Sequence, residues 1–171
     1  MTDRYAPPSD FLKAVVAEDL PLSGEGDGAG NLQRLIDLMR DADRSNRDWA
    51  TFLLASEDVD SAAVRQALLD AARDEDGTIR AEAIFGLARR DRALALPLVY
   101  QALADNIVAF PIFEAAALLA DASLVDGLRG FTGPSDEPYL DQCAAGALAA
   151  CESGVPRTFG LEPLAGPTTQ A

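Results

Sequence analysis

The fold is decided by two stretches of sequence, DADRSNRDWATFLLA at residues 41–55 and DEDGTIRAEAIFGLA at residues 74–88. Aligned at an offset of 33 residues, they are identical at seven of fifteen positions. The shared residues are two aspartates at the start, an arginine six residues after the first aspartate, and the closing pattern Ala-x-Phe-x-Leu-Ala. An internal repeat of this length indicates an architecture of stacked units, in which each unit packs on its neighbours.

Weaker copies of the repeat follow toward the C-terminus. EAAALLA at residues 114–120 aligns with EAIFGLA at residues 82–88 at an offset of 32, and AAGALA at residues 144–149 is weaker again. Such decay is expected of capping units, whose outer face meets water instead of a neighbour. The sequence therefore predicts about four units, two well defined and two degenerate.

A second helical pattern precedes each copy. Apolar residues recur there at spacings of three and four, which marks one face of a helix. These residues are Leu32, Leu35, Ile36 and Met39; Val64, Ala67, Leu68 and Ala71; Leu96, Val99 and Leu103; and Leu124 and Leu128. Ala and Leu dominate the apolar residues and aromatics make up only 6% of the chain, which favours helix over strand. Each unit is thus helix A, a turn and helix B. The predicted fold class is all-α, an α-solenoid of about four helical hairpins.

The repeat resembles the HEAT-repeat family, and in particular its short bacterial form, the PBS-lyase HEAT-like repeat. The resemblance rests on the turn Asp, the Arg six residues later and the following Ala-x-x-x-Leu-Ala, and it covers about residues 31–152. In that family the matching Asp and Arg form a ladder between adjacent repeats. The resemblance therefore implies structural roles for Asp41, Arg47, Asp74 and Arg80.

The third unit departs from this pattern. Asp105 is present, but Pro111 and Ile112 stand where the Arg is expected, which predicts a helix B that is kinked or starts late. The aspartates of the first two turns fit helix N-caps, because a short carboxylate there accepts hydrogen bonds from N–H groups that have no intrahelical partner. These four aspartates are Asp41, Asp43, Asp74 and Asp76.

The two ends of the chain differ from the repeats. Residues 1–30 are predicted to form an N-terminal cap, with a short helix or extended segment near Asp10, and a flexible glycine-rich linker from Ser23. Residues 31–152 form the repeat domain. Residues 153–171, which contain three prolines and several glycines, are predicted to be an irregular C-terminal tail.

The charge of the chain is strongly acidic, with 28 Asp and Glu against 14 Lys and Arg and a net charge of −14. Nucleic acids bind through patches of Lys and Arg, so this charge argues against a nucleic-acid partner. A basic protein would instead be attracted over a long range. The alternative is that the acidic charge only keeps an Ala-rich protein soluble.

Few residues suggest catalysis or a cofactor. The chain has no histidine, which removes Ser-His and Cys-His pairs and His-based metal sites. The turn aspartates lack the glycine and the bidentate glutamate of calcium loops. The run Gly24-x-Gly26-x-x-Ala29 lacks the strand that a dinucleotide fingerprint needs. We therefore expect a protein that is not an enzyme and has no catalytic, cofactor or metal site.

The cysteines and the N-terminus suggest a compartment. Cys143 and Cys151 are eight residues apart, about 12 Å along one helix, which is too far for a disulfide. They are expected to be buried, reduced thiols. No signal peptide is visible, and no apolar run approaches the ~20 residues of a membrane span. The sequence predicts a cytoplasmic protein with no membrane partner.

The concave face is the predicted functional site, because the resemblance implies that helix B lines the inner surface of the stack. Ala50, Leu53 and Leu54 in the first unit, and Ile79, Ala83 and Leu87 in the second, would form the buried stripe. The positions between them would point into the groove. These are Trp49, Phe52, Glu82, Phe85, Arg89 and Glu114.

Aromatic residues and Arg are common anchors of binding surfaces. Trp49 and Phe52 share one helix face. The alternative for these two is that they pack under the N-terminal segment around Phe11 and Val15. The leading prediction is a non-enzymatic scaffold, monomeric, that binds another protein, with a basic one fitting the charge. One alternative is an immunity or inhibitor protein that neutralises a basic toxin or nuclease. A HEAT-like lyase or glycosylase is less favoured, because a glycosylase needs a basic concave face.

Overall fold

The computed structural model describes residues 6–24, 26–105 and 108–159, and within these ranges all regular structure is helical. Helix α1 (Asp10–Val16) precedes four hairpins. They are α2 (Gly28–Leu38) with α3 (Arg44–Ser56), α4 (Ala62–Ala71) with α5 (Gly77–Ala88), α6 (Arg92–Ala102) with α7 (Phe110–Leu119), and α8 (Val125–Arg129) with α9 (Pro138–Ser153). A 3-10 turn at Ala122–Leu124 leads into α8.

The hairpins stack in two layers. The B helices form one row, in which α3 packs on α5, α5 on α7 and α7 on α9, and each A helix packs on its own B helix. Leucine, isoleucine and valine side chains from both layers are fully buried between them. We call the side of the B row that faces away from the A helices the B face. The predicted all-α solenoid of helical hairpins is confirmed.

The turns show why each B helix starts where it does. Asp43 accepts a hydrogen bond from Ser45 N and is the N-cap of α3, and Asp76 caps α5 in the same way. Asp41 and Asp74 are not N-caps. Their carboxylates accept from the backbone N–H two residues later, at 2.7 and 2.9 Å, which shapes the turn before the cap. Of the four aspartates predicted to cap helices, two do so and two hold the turn.

Helix α7 starts late. It begins four residues before Glu114, whereas α5 begins five residues before Glu82. Pro111 lies in the first turn, where its missing N–H would have no intrahelical acceptor. The N-cap position is Ala109, whose side chain cannot accept a hydrogen bond. The late start predicted from Pro111 is therefore observed.

The ends pack more than the sequence predicted. Helix α1 packs on α3 and buries Phe11 and Val15, and α2 begins at Gly28, inside the segment predicted as a linker. Helix α9 ends at Ser153, and residues 155–159 are irregular but pack against the domain. The rest of the predicted cap and tail, residues 1–5, 25 and 160–171, lies outside the described residues.

Two observations bear on the predicted compartment. Cys143 and Cys151 are buried free thiols. Among the helices that the structure describes, none has the length and apolarity to cross a membrane.

Candidate functional site

The predicted ladder joins the first two hairpins through Arg47. Its Nε lies 2.8 Å from Asp74 Oδ2, and its Nη1 donates to the carbonyls of Asp41 and Ala42 at 3.1 and 3.2 Å. The two charged side chains are only 12% and 11% exposed. One guanidinium thus fastens its own turn and the turn of the next repeat, which is a structural role.

Arg80 occupies the matching position in the second hairpin but acts differently. Its Nη1 donates to the carbonyls of Asp74 and Glu75 at 2.8 and 2.9 Å, within its own turn. Within the described ranges no ion pair joins it to Asp105, the aspartate of the next turn. Ile112 stands at this position in α7, so it offers no guanidinium for a further rung. The ladder that the resemblance implied is a single rung, and Arg80 braces its own turn.

Other arginines pair with the turns of neighbouring repeats, which the sequence analysis missed. Arg44 Nε lies 2.6 Å from Asp76 Oδ2, and Arg65 Nη1 lies 3.1 Å from Asp91 Oδ2. Arg92 donates to both the Leu119 carbonyl and the Asp121 carboxylate. The sequence signal was available, since each of these aspartates opens a helix or turn. We call the turns between the A and B helices, with Arg44, Arg47, Asp74 and Asp76, the turn edge.

Arg89 was predicted to point into the groove, and its guanidinium is engaged with the end of α3. Its Nη1 lies 2.6 Å from the Ala55 carbonyl and 2.5 Å from that of Ser56, and its Nη2 lies 2.6 Å from Asp58 Oδ1. The last carbonyls of α3 have no intrahelical donor, and a guanidinium with five N–H groups supplies several at once. Arg89 therefore caps α3, together with Arg90, which donates to carbonyls of the same turn.

One end of the B face carries an open aromatic pocket. Its volume is about 250 Å³, and it is lined by residues of α3 and α5: Asp48, Trp49, Phe52, Thr78 and Glu82. The rings of Trp49 and Phe52 meet edge to face with their centroids 5.9 Å apart. Phe52 is 43% exposed, which is high for a phenylalanine. We call this the aromatic pocket.

The alternative prediction was that Trp49 and Phe52 pack under the N-terminal segment. Phe52 does not do so. Helix α1 packs on α3, but Phe11 lies against the Arg34 guanidinium, which sits 4.3 Å from its ring centroid. No residue of α1 lines the aromatic pocket. Trp49 is half-buried and packs against the core, while Phe52 faces solvent. The geometry places Phe52 on the B face.

A second pocket lies further along the B face. It has a volume of about 290 Å³, and its lining residues are Phe85, Arg89, Glu114, Leu118, Thr158 and Phe159. Three of these belong to α5 and α7, Arg89 directly follows α5, and the last two belong to the C-terminal segment. We call it the tail pocket. Sequence reasoning predicted Phe85 and Glu114 on this face but gave no sign that residues 155–159 return to it.

Glu82 lines the aromatic pocket, and Glu114 lines the tail pocket. Burial raises the pKa of Glu82 to about 7, helped by the negative charges of Glu114 and Asp48. Burial likewise raises the pKa of Glu114 to about 7. Neither carboxyl has a hydrogen-bond or ion-pair partner among the described residues. Near neutral pH each is divided between its charged and neutral forms, so an approaching cation would draw it to the charged form.

The site contains no evident metal centre. In the part of the chain that the structure describes, no three Asp, Glu or Cys side chains converge as a metal site would require. What the arrangement offers is an aromatic surface beside two carboxyls without cationic partners. Such a surface can bind an apolar or cationic side chain.

Comparisons with known proteins support the fold and say little about the site. No protein-family model matches the chain, and no curated protein matches it. Among solved structures, the X-ray structure of the Escherichia coli protein YibA is similar, with a TM-score of 0.56 and 24% sequence identity. The match covers 80% of this chain and 54% of that chain, so this chain spans about half the length of its neighbour. The likeness establishes a shared helical, solenoid-like fold.

Proposed function

We propose that this chain is a HEAT-like, non-enzymatic scaffold that binds another protein through its B face, the face expected to be concave. The observation that carries the proposal is Phe52, an exposed aromatic in an open pocket, with the carboxyl of Glu82 in the same pocket and that of Glu114 in the next pocket along the B face. Exposed aromatics supply much of the binding energy of protein interfaces.

The charges of the B face favour a basic partner. The arginines of the turn edge are engaged with aspartates of the chain itself, whereas Glu82 and Glu114 have raised pKa values. A Lys or Arg side chain from a partner would neutralise them, and the net charge of −14 would attract such a partner from a distance. We propose a monomer in the cytoplasm, where buried free thiols such as Cys143 are stable. Neither a nucleic acid nor a membrane suits this charge.

The test compares two exposed aromatics on opposite layers. Phe52 lies on the B face, and Tyr100, 62% exposed, lies on A helix α6. Proteins are captured on the wild type, on Phe52→Ala and on Tyr100→Ala, and each captured protein is then purified and its affinity measured. We expect Phe52→Ala to weaken binding at least about tenfold, the range of an interface anchor, and Tyr100→Ala to leave it unchanged. Equal affinity for the wild type and Phe52→Ala would refute the B-face proposal.

A second candidate is an immunity or inhibitor protein that neutralises a basic toxin or nuclease. The excess of 14 negative charges favours it, because charge complementarity speeds the capture of an oppositely charged protein. This candidate predicts that the affinity for the partner falls steeply between low and physiological salt, by about tenfold or more. An interaction that depends on Phe52 but hardly on salt would favour the general scaffold. A lyase is less favoured, and a visible absorbance band in the purified protein would support it.

A further inference from the structure

The C-terminal segment returns to the B face after α9. Gly154 ends the helix in the left-handed conformation, with φ of 68°, and the backbone then reverses. Arg157 N donates to the Ala117 carbonyl at 3.0 Å. This carbonyl lies in the last turn of α7, where no intrahelical N–H reaches it. The contact therefore satisfies a helix end through the backbone alone, and any extended segment could make it.

The side chain of Phe159 packs against α9 at Gly146, where the helix has no Cβ atom. A Cβ atom built on Gly146 of α9 would lie 2.7 Å from Phe159 Cε1, so the ring rests directly on the helix backbone. The ring of Phe110 is beside it, with centroids 6.3 Å apart. Glycine inside a helix costs about 1 kcal/mol relative to alanine. The glycine therefore weakens α9 while making room for an aromatic ring.

This ring seat adjoins the residues proposed to bind a partner. Thr158 and Phe159 form one wall of the tail pocket, and Phe85 and Glu114 line the rest with Leu118. A partner that covers Glu114 would meet the segment. The segment is short and has one backbone hydrogen bond to the domain in the described residues, so little free energy holds it.

We propose that the ring seat on Gly146 and the Ala117 carbonyl, at the edge of the tail pocket, form a peptide-binding subsite that residues 155–159 fill within the same chain. Its other occupant is an extended segment of a partner protein that carries an aromatic side chain. The aromatic lies two residues after the one whose N–H meets the Ala117 carbonyl, as Phe159 follows Arg157. Glu114 favours a basic residue beside it. This inference rests on the proposed function and adds the chemistry of the partner segment and its competition with the tail.

The test uses full-length protein and a synthetic peptide of sequence Ser-Gly-Val-Pro-Arg-Thr-Phe, which is the chain's own residues 153–159, amidated at its C-terminus and labelled for fluorescence anisotropy. In the wild type the tethered segment competes with the peptide. If the segment fills the subsite about nine-tenths of the time, the apparent affinity falls about tenfold. We expect Phe159→Ala, which empties the ring seat, to bind the peptide about tenfold more tightly than the wild type.

Two further variants control the experiment. Adding Gly146→Ala to Phe159→Ala narrows the ring seat and should reduce the gain, whereas Tyr100→Ala, on the opposite layer, should bind like the wild type. Thermal unfolding of each variant shows whether it is folded, and Gly146→Ala is expected to stay folded because alanine favours the helix. Equal peptide binding by the wild type and Phe159→Ala, no binding by either, or indifference to Gly146→Ala would each overturn the proposal.

The failure of this proposal is distinguishable from that of the proposed function. The peptide titration needs no partner and does not involve Phe52. A partner that loses affinity with Phe52→Ala, while the peptide results show no subsite, would leave the B-face scaffold standing and remove only the role of the tail pocket.

Discussion

The pKa values of carboxyl groups shift in opposite directions at the turn edge and on the B face. At the turn edge, burial works to raise the pKa of Asp74, but the Arg47 hydrogen bond and the Asp76 N–H outweigh it and lower that pKa overall. On the B face, burial raises the pKa of Glu82 and Glu114 to about 7. Charges that join repeat to repeat are neutralised within the chain, whereas the B face keeps charges that another molecule can neutralise.

Removing the guanidinium of Arg47 should have the largest effect on folding. In Arg47→Met the Asp74 carboxylate loses its partner, and the Asp41 and Ala42 carbonyls lose a donor. Breaking a largely buried pair leaves an uncompensated charge, so we expect the free energy of unfolding to fall by about 2–3 kcal/mol. Urea denaturation followed by circular dichroism measures this loss.

Arg80→Met is the matched control for that prediction. Arg80 has the same place in the next repeat and donates to two carbonyls, but no carboxylate of another repeat pairs with it among the residues that the structure describes. Its loss should cost about 1 kcal/mol, the value of ordinary hydrogen bonds. Equal losses in the two variants would show that the Arg47–Asp74 ion pair adds nothing to the turn edge.

The charge of Asp74 can be removed with little change in shape. Asp74→Asn keeps an oxygen that can accept from Asp76 N but lacks the negative charge opposite Arg47. We expect a loss of about 1–2 kcal/mol at pH 7. Because the folded-state pKa of Asp74 lies below its ordinary value of 3.8, its stabilisation is present above that value and is lost as the pH falls through the folded pKa. Wild type and variant should therefore converge in acid.

Glu82→Gln should change the stability in the opposite direction. Between the ordinary pKa of 4.5 and the folded value of about 7, the unfolded chain releases this proton first, so wild-type stability falls as the pH rises. Gln has no proton to lose. We expect the variant to be more stable than the wild type at pH 8, by on the order of 1–3 kcal/mol, and equal to it at pH 4, by thermal unfolding. A destabilised variant at pH 8 would mean that the Glu82 carboxylate has a partner in the folded chain.

The repeat made the helices and their faces predictable. The partners that a long side chain contacts were harder to predict. Periodicity alone placed Phe52, Glu82 and Glu114 on the exposed side of the B row, because a helix face follows from spacing. It also placed Arg89 there, and Arg89 lines the tail pocket. It could not show that the guanidinium extends to carbonyls of α3 more than thirty residues earlier in sequence.

The C-terminal segment was the least predictable part. Prolines and glycines correctly indicated irregular backbone near Pro156, but irregular structure is not the same as loose structure. Arg157 N donates to the Ala117 carbonyl, and the Phe159 ring packs on Gly146. Both contacts join residues that are distant in sequence, and no periodic pattern encodes them. The raised pKa values of the glutamates likewise depend on packing depth, which spacing does not give.

Trp49 provides the most direct test of the claim that the B face binds a partner. It is the only tryptophan of the chain, and it lines the aromatic pocket, so its indole N–H gives one signal in a spectrum of 15N-labelled protein. When a purified, unlabelled partner is added, we expect this signal to shift or broaden in step with binding. A partner that binds the labelled chain fully while the Trp49 signal stays in place would contradict that claim.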